Sequence, residues 1–480
     1  MDIKNNLTML MDFYELTMSN GFFVEGFQDK TAYFDMFFRD IPDDGGFAIM
    51  AGVEQLIDYI KNLRFTDEDI EFLRSKNLFD DKFLEYLRNF EFKCDIWAIP
   101  EGTPIFPGEP IVTVRGPVVQ AQLVETTLLL LINHQSLIAT KANRIVRAAE
   151  GRPVMEFGSR RAQGADAAVY GARAAYIGGC VGTACASVDR DFGVPALGTM
   201  AHSWVQLFDS EYEAFCSYAK TYPDSCTLLI DTYNVLKSGL PNAIRVFNEI
   251  LVPNGYRPKG VRIDSGDITY LSKKCRKILD EAGFPDCGIV ASNSLDEYII
   301  RDTIVQGAKI DSFGVGERLI TSKSSPVFGG VYKLVAVEGE NGEIIPKIKI
   351  SENVTKITNP GFKQVYRLYS RENSDAIADV ITLHEEKIDD TKPYELFDPE
   401  YTWKRKVVSE YYARPLLKPI FEKGKCVYES PSLEVLREYC KMQIDGLWEE
   451  MKRFENPHKY YVDMSQKMWN LKYNLLGNFK

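Results

Sequence analysis

The 480-residue chain carries nine cysteines, an odd number spread thinly and without a C-x-x-C pair, which excludes a disulfide framework and a zinc site of ordinary spacing. Cys180 and Cys185 come nearest to ligand spacing but read as packed thiols in a small-residue helical stretch. Long apolar runs are also missing: Leu128 to Ile132 falls far short of the ~20 residues that cross a bilayer, and reads as a buried helix turn. The opening Met1-Asp2-Ile3-Lys4-Asn5-Asn6 lacks the basic and apolar regions of a secretory signal, so with thin cysteine usage the expectation is a cytoplasmic protein. Positive charge is in deficit, with 57 Lys+Arg against 68 Asp+Glu and a net charge of -11, which argues against nucleic acid or an anionic membrane as partner. Histidine is scarce as well. His134, His202, His384 and His458 are the four, so candidates for acid/base or nucleophilic chemistry are few.

What is present is ordinary globular material, 45% hydrophobic and 26% charged, with roughly three domains' worth of length at about 150 residues each. Residues 1–118 mix helical patterns such as Gly52 to Ile60 with strand-like runs at Ala32 to Phe38 and Pro110 to Val114, an α+β domain. From Gln120 to Ala149 the apolar positions keep a helical rhythm, as one long helix or two abutting ones. Short apolar runs then recur, most ending in Gly, Ser, Asp, Asn or His before a helical stretch. They are Pro153 to Ser159, Ala196 to Ser203, Thr227 to Thr232, Val261 to Asp267, Gly288 to Asn293 and Asp311 to Gly316. This alternation predicts a parallel sheet covered by helices over 119–325, and polar strand ends gathered at one mouth favour an α/β barrel over an open doubly wound sheet. Residues 326–480 read as a β-hairpin around Asn341-Gly342 followed, from Ser432, by amphipathic helix that packs back on the N-terminal domain.

Lys141, Arg144, Arg147, Arg152, Arg160, Arg161 and Arg173 form a local positive island in this acidic chain. Arg147 and Arg152 read as a solvated helix face. Arg160-Arg161 follow a predicted strand and the small pair Gly158-Ser159, a position from which guanidinium forks can hold a carboxylate or phosphate. Asp264-Ser265-Gly266-Asp267 closes another strand, where two carboxylates around a glycine turn can accept ribose hydroxyls or hold hydrated Mg²⁺; capping of the next helix is the plainer account of one of them. Phe313-Gly314-Val315-Gly316 offers backbone N–H groups to phosphate oxygens. His384, beside Glu385-Glu386, and His458 read as surface residues and His134 as structural. His202 ends a predicted strand and is expected in the mouth, where a nitrogen nucleophile can act.

In order along the chain, Asp12 to Met18, Phe157 to Gly164, Gly198 to Ser203, Ile263 to Asp267 and Phe313 to Gly316 resemble the nicotinate phosphoribosyltransferase family. The resemblance extends to Pro360 to Lys363 and Asn456 to Tyr461, and so covers nearly the whole chain. It implies an N-terminal α/β sandwich-like domain on an irregular parallel α/β barrel with a C-terminal extension. It also implies transfer of phosphoribosyl from 5-phosphoribosyl 1-diphosphate to nicotinate, with ATP and Mg²⁺, through transient phosphorylation of His202. On the same resemblance Tyr14 lies against the pyridine ring, supplied by the other copy of a homodimer, and Phe157 is a further substrate-binding residue. Arg160 or Arg161 and Ser203 hold the nicotinate carboxylate, and Asp264 and Asp267, with Ser265 and Gly266, meet the ribose hydroxyls and Mg²⁺. Asn293 is a further ligand, and Gly314 and Gly316 face the 5-phosphate. The chain departs from the family pattern at Glu317, where many members carry a small hydroxylated residue, and at Ser294, where Asp is common. Nicotinamide or quinolinate could replace nicotinate on the same donor, but paired arginines favour an acid over an amide. A catalytically silent barrel would not need the histidine, and a Schiff-base aldolase lacks a lysine at any predicted strand end.

Overall fold

The computed structural model describes residues 6–353 and 356–478; Met1 to Asn5, read above for a leader, lie outside the described residues. The chain divides into two compact units, residues 1–137 with 327–480, and residues 138–326. The dividing point falls inside the helix Glu125–Ala148, so residues 119–137, expected in the barrel domain, belong to the first unit. Residues 327–480 do not stand alone but share that unit with the N-terminal segment.

The first unit is built on a seven-stranded antiparallel sheet ordered Ile344–Pro346, Val331–Glu338, Thr31–Phe37, Val112–Pro117, Asp95–Ala98, Lys418–Glu422 and Lys425–Cys426. The three N-terminal strands thus lie together in the middle of one sheet, flanked on either side by two strands from residues 331–426. A second sheet joins Tyr411–Pro415, Lys363–Ser370, Ala376–Leu383 and Val462–Met464. The hairpin at Asn341-Gly342 forms, with Gly342 at φ +79 in its turn, but its second strand is Ile344–Pro346. The C-terminal helices Leu433–Asp445 and Gln466–Gly477 begin on Ser432 and Ser465, whose hydroxyls accept from the third helical N–H.

Two buried ion pairs stand out in this unit. Arg367 and Asp379 face each other across neighbouring strands and bond through two guanidinium N–H groups at 2.7 and 2.6 Å, with Tyr460 donating to the same carboxylate at 3.1 Å. The Arg367 guanidinium also lies 5.3 Å from the Phe106 ring and 5.8 Å from the Tyr460 ring. Lys363, from the quoted Pro360 to Lys363 motif, is buried on Asp35 at 2.8 Å and donates to the carbonyls of Asn359 and Gly361. His384 is not a surface residue: it is half-buried, stacked on Phe362 at 3.8 Å with Trp97 at its edge, and burial lowers its pKa.

The second unit is a six-stranded parallel sheet ordered Gly182–Thr183, Val154–Glu156, Ser312–Val315, Gly288–Asn293, Gly260–Ile263 and Thr227–Leu229, with helices between the strands. This is the parallel α/β architecture expected, left incomplete: among the described residues no ladder joins the Gly182–Thr183 and Thr227–Leu229 edges. The run Ala196 to Ser203 is not a strand. Its backbone pairs with the sheet at Thr183, through the Pro195 carbonyl and the Leu197 N–H, without forming a strand. Pro195 has no N–H to donate, and the segment beyond it turns into a helix at His202.

Candidate active site

The polar residues of the second unit collect where its strands end. His202 opens the short helix His202–Leu207, and its Nδ1 lies 3.2 Å from the Thr232 hydroxyl. Its Nε2 lies 4.0 Å from Asp231 Oδ1 and 3.9 Å from Asp264 Oδ2. Asp231 and Thr232 follow the Thr227–Leu229 strand, and Asp264 follows Gly260–Ile263, so two adjacent strands deliver the carboxylates to one imidazole. The Asp231 side chain is only 1% exposed. Its Oδ2 accepts from the Asp264 N–H at 3.1 Å and the Ser265 hydroxyl at 2.5 Å, while its Oδ1 has no hydrogen-bond partner.

Asp264 is fixed on its other side. Arg262 donates to its Oδ1 at 2.9 Å, and the Ser292 hydroxyl donates to the same oxygen. Partial burial pushes this carboxyl up, but the bonds from Ser292 and Arg262 and the charges of Arg262 and His202 outweigh it, so the net shift is downward. Arg262 also reaches Ser292 at 2.8 Å, Thr199 at 3.1 Å and the Met200 carbonyl at 3.3 Å, and lies 5.7 Å over the Phe157 ring. Arg262 was read only as a strand residue and Asp231 only as part of a run. A polar group at each strand end was the available signal.

Phe157 is placed by Gly314. A Cβ at 314 would meet the ring at 2.5 Å, so only glycine leaves the aromatic room. Gly314 is inside a strand paired on both sides, opposite Ser292 and Met155, and Gly316 lies beyond it. The Phe157 strand carries buried Glu156, whose carboxylate accepts from the Gly158 N–H and, at 2.6 Å, from Thr183; burial raises its pKa. Arg160 and Arg161 follow on an exposed one-turn helix, Ser159–Arg161.

Asp267 does cap a helix: its carboxylate accepts from the Tyr270 N–H at 2.9 Å at the start of Ile268–Glu281, after Gly266 at φ +82. Ser203 and Asn293 are exposed, the latter accepting from the Ser294 N–H at 2.7 Å. Tyr14 lies on Phe13–Val24 in the first unit; burial and then Glu125 raise its hydroxyl pKa. His134 is held by burial below the ordinary histidine range.

The positive island is largely structural. Lys141 and Arg144 are buried on Glu297 at 2.9 and 2.8 Å, Arg173 is fully buried, Arg147 donates to Asn143, and Arg152 donates to the Ile310 carbonyl. Among the described residues no group of three or more His, Cys, Asp or Glu side chains is arranged to hold a metal ion. Asp231 Oδ1 and Asp264 Oδ2 are hard oxygen donors with unused lone pairs. They suit a hydrated Mg²⁺, which takes one or two carboxylates and completes its shell with water and substrate phosphate.

Sequence models described as the nicotinate phosphoribosyltransferase N-terminal domain, family and C-terminal domain match residues 9–133, 153–372 and 362–472. The nicotinate phosphoribosyltransferase of Bacillus subtilis is 43% identical over 478 residues, covering 99% of this chain and 96% of its own. The Homo sapiens nicotinate phosphoribosyltransferase is 31% identical over 517 residues, covering 96% and 95%. A crystal structure of human nicotinic acid phosphoribosyltransferase superposes with a TM-score of 0.86 at 30% identity, over 97% of this chain and 99% of that one. With three domain models matched in order and relatives aligned almost end to end, this chain belongs to the nicotinate phosphoribosyltransferase family.

Proposed function

We propose that the protein joins nicotinate to 5-phosphoribosyl 1-diphosphate, giving nicotinate mononucleotide and diphosphate, and that ATP hydrolysis through phosphorylation of His202 drives the step. The observation that carries this reading is the cluster of His202, Asp231 and Asp264 at adjacent strand ends, in a chain of this family. A proton on Nδ1 donated to Thr232 leaves the Nε2 lone pair free as the nucleophile. Attack on the terminal phosphorus of ATP forms the N–P bond and releases ADP; water later cleaves that bond and releases phosphate. If the phosphorylated form binds substrates more tightly than the free form, the cycle couples ATP free energy to product formation.

In the transfer itself the pyridine nitrogen is the nucleophile and diphosphate leaves with the C1–O electron pair. No protein base attacks carbon, so the side chains act by position and charge. Phe157 offers a ring face to the pyridine, with Tyr14 of a neighbouring copy on the other side. Arg160 or Arg161, with Ser203, takes the carboxylate. Asp264, held by Arg262 and Ser292, and Asp267 orient the ribose hydroxyls with Ser265, Gly266 and Asn293, while Gly314 and Gly316 line the 5-phosphate end. Asp231 and Asp264, whose free oxygens face the same imidazole, would hold Mg²⁺ in place of the expected pair Asp264 and Asp267, because Asp267 caps the next helix; the bound ion would supply charge neutralisation for the departing diphosphate. The homodimer and a cytoplasmic location belong to the same proposal.

The test offers nicotinate, nicotinamide and quinolinate separately with 5-phosphoribosyl 1-diphosphate and Mg²⁺, with and without ATP, and quantifies mononucleotide and ADP. Product from nicotinate alone, with ADP formed alongside, is expected. Product from another pyridine moves the specificity, and none from any of the three sinks the reading.

A further inference from the structure

Glu156 ends the strand Val154–Glu156 and is 0% exposed, yet among the described residues no lysine or arginine pairs with it. A carboxylate buried without a cation persists where neutral donors fill its oxygens. Here the two donors come from different segments. Oε1 accepts from the N–H of Gly158, two residues on, and Oε2 accepts from the Thr183 hydroxyl at 2.6 Å, across the ladder to Gly182–Thr183. Gly158 has no room for a side chain: a Cβ there would meet Ile320 at 2.6 Å and Glu156 Oε1 at 2.8 Å.

The brace lies among residues already placed at the site. Phe157, with the Arg262 guanidinium over its ring, stands between the bonded residues Glu156 and Gly158. The Gly158 carbonyl then accepts from the Arg161 N–H at 2.7 Å and closes the turn that bears Arg160 and Arg161. Thr183 is a junction as well. Its N–H donates to the Pro195 carbonyl at 3.0 Å and its carbonyl accepts from the Leu197 N–H at 2.8 Å, which anchors the segment that runs on to His202. An apolar pair could fill this buried position without the desolvation cost of a carboxylate. It could not fix the direction of the Gly158 N–H, and with it the turn.

We propose that Glu156 is a positioning residue for the acceptor: bonded to Gly158 and Thr183, it sets the turn that carries Phe157 and the arginine pair, and holds that turn in register with the segment leading to His202. The proposal rests on the phosphoribosyl reading above and assigns Glu156 no contact with a substrate.

The test compares the full-length wild type with Glu156→Leu, Glu156→Gln, Thr183→Val and Thr183→Ser, by amide hydrogen exchange over residues 157–161 and by steady-state kinetics. Glutamine can keep both links. Its carbonyl accepts from Gly158, and its NH2 donates to the lone pair that the Thr183 hydroxyl has left after accepting from the Cys185 N–H at 3.0 Å. Leucine keeps neither. Glu156→Leu is expected to speed exchange over 157–161 and to raise the nicotinate KM at least about tenfold with kcat within about threefold, the scale of a buried donor left unpaired. Glu156→Gln is expected to stay within about threefold of wild type in both constants. Thr183→Val removes one link and should move exchange and KM in the same direction, while Thr183→Ser should restore both; this pair decides the matter if Glu156→Leu does not fold.

The proposal is overturned if the link-breaking variants keep the nicotinate KM within about twofold of wild type, or if their exchange over 157–161 is unchanged. It is overturned equally if Glu156→Gln is as impaired as Glu156→Leu, because the charge and not the two bonds would then be the operative feature. In each of those cases the wild type still turns over nicotinate. Failure of the phosphoribosyl reading has a different signature: the wild type makes no mononucleotide from nicotinate, and a positioning role for that acceptor falls with it.

Discussion

The buried ion pairs of the first unit and Asp231 in the second use charge in opposite ways. In the first, Arg367 and Asp379 bond through both guanidinium forks, Tyr460 adds a third donor, and Lys363 is sealed on Asp35. In the second, Asp231 is just as buried but keeps one oxygen without a partner, and it points at a histidine that is 40% exposed. Burying a charge is tolerable when its hydrogen-bonding capacity is filled, and costly when it is not. The first arrangement holds a fold together. An unfilled valence beside an open imidazole is the kind of cost that binding a ligand can offset.

The largest effect that could break this contrast is at His202. His202→Ala is expected to abolish nicotinate-dependent ATP hydrolysis while leaving some ATP-independent nucleotide formation and an unchanged melting temperature. Undiminished coupled hydrolysis in that variant would falsify the phosphohistidine assignment. Next comes Arg367→Met, which strands Asp379 without its cation and is expected to cost about 3–5 kcal/mol in denaturant unfolding. A loss under 1 kcal/mol would show that the first unit's pairs are as dispensable as surface ones.

Arg160→Ala and Arg161→Ala sharpen the comparison within the second unit. One of the two is expected to raise the KM for nicotinate by about tenfold, far more than that for the ribosyl donor, on the scale of one charge-assisted bond. Equal small effects on both constants would remove the pair from the site. The smallest effect concerns Asp463, in the Val462–Met464 strand, whose pKa burial and then Asp398 raise to about 7. The native state then holds a proton that the unfolded chain has lost between the ordinary carboxylate value and 7. Stability is therefore fullest below that window and falls as pH rises through it. Asp463→Asn should flatten this part of the melting-temperature profile, a change on the order of a few degrees; an identical slope in the variant would mean another group titrates there.

Much of this was legible in the sequence, and the failures share a cause. Asp264 to Asp267 and Gly314 to Gly316 could be found because polar or small residues follow short apolar runs, which is how a parallel sheet presents its strand ends. Asp231 obeys the same rule singly, and Arg262 is a lone cation inside the strand Gly260–Ile263; neither has a local signature. The helical rhythm from Gln120 to Ala149 resolves into Val118–Gln122 and Glu125–Ala148, as periodicity allowed. Ala196 to Ser203 misled because its apolar content imitates a strand, while Pro195 limits the pairing that would make one. His384 was misplaced by its acidic neighbours, since the rings that enclose it come from other parts of the chain, Trp97 from Asp95–Ala98 and Phe362 from just before the paired strand Lys363–Ser370. No window of sequence shows that Thr31–Phe37 pairs with Val331–Glu338, some 300 residues later.

That last pairing sets a timetable for biosynthesis. A ribosome releases every strand of residues 138–326 before it has made the partner that Thr31–Phe37 requires, and Asp95–Ala98 waits longer still, for Lys418–Glu422. The inserted unit can complete its sheet while Thr31–Phe37 and Asp95–Ala98, each paired on one side with Val112–Pro117, still present an open edge. During that interval the nascent chain depends on chaperones more than its finished stability would suggest, and a stall or truncation before Lys418 leaves the first sheet without a strand it cannot replace.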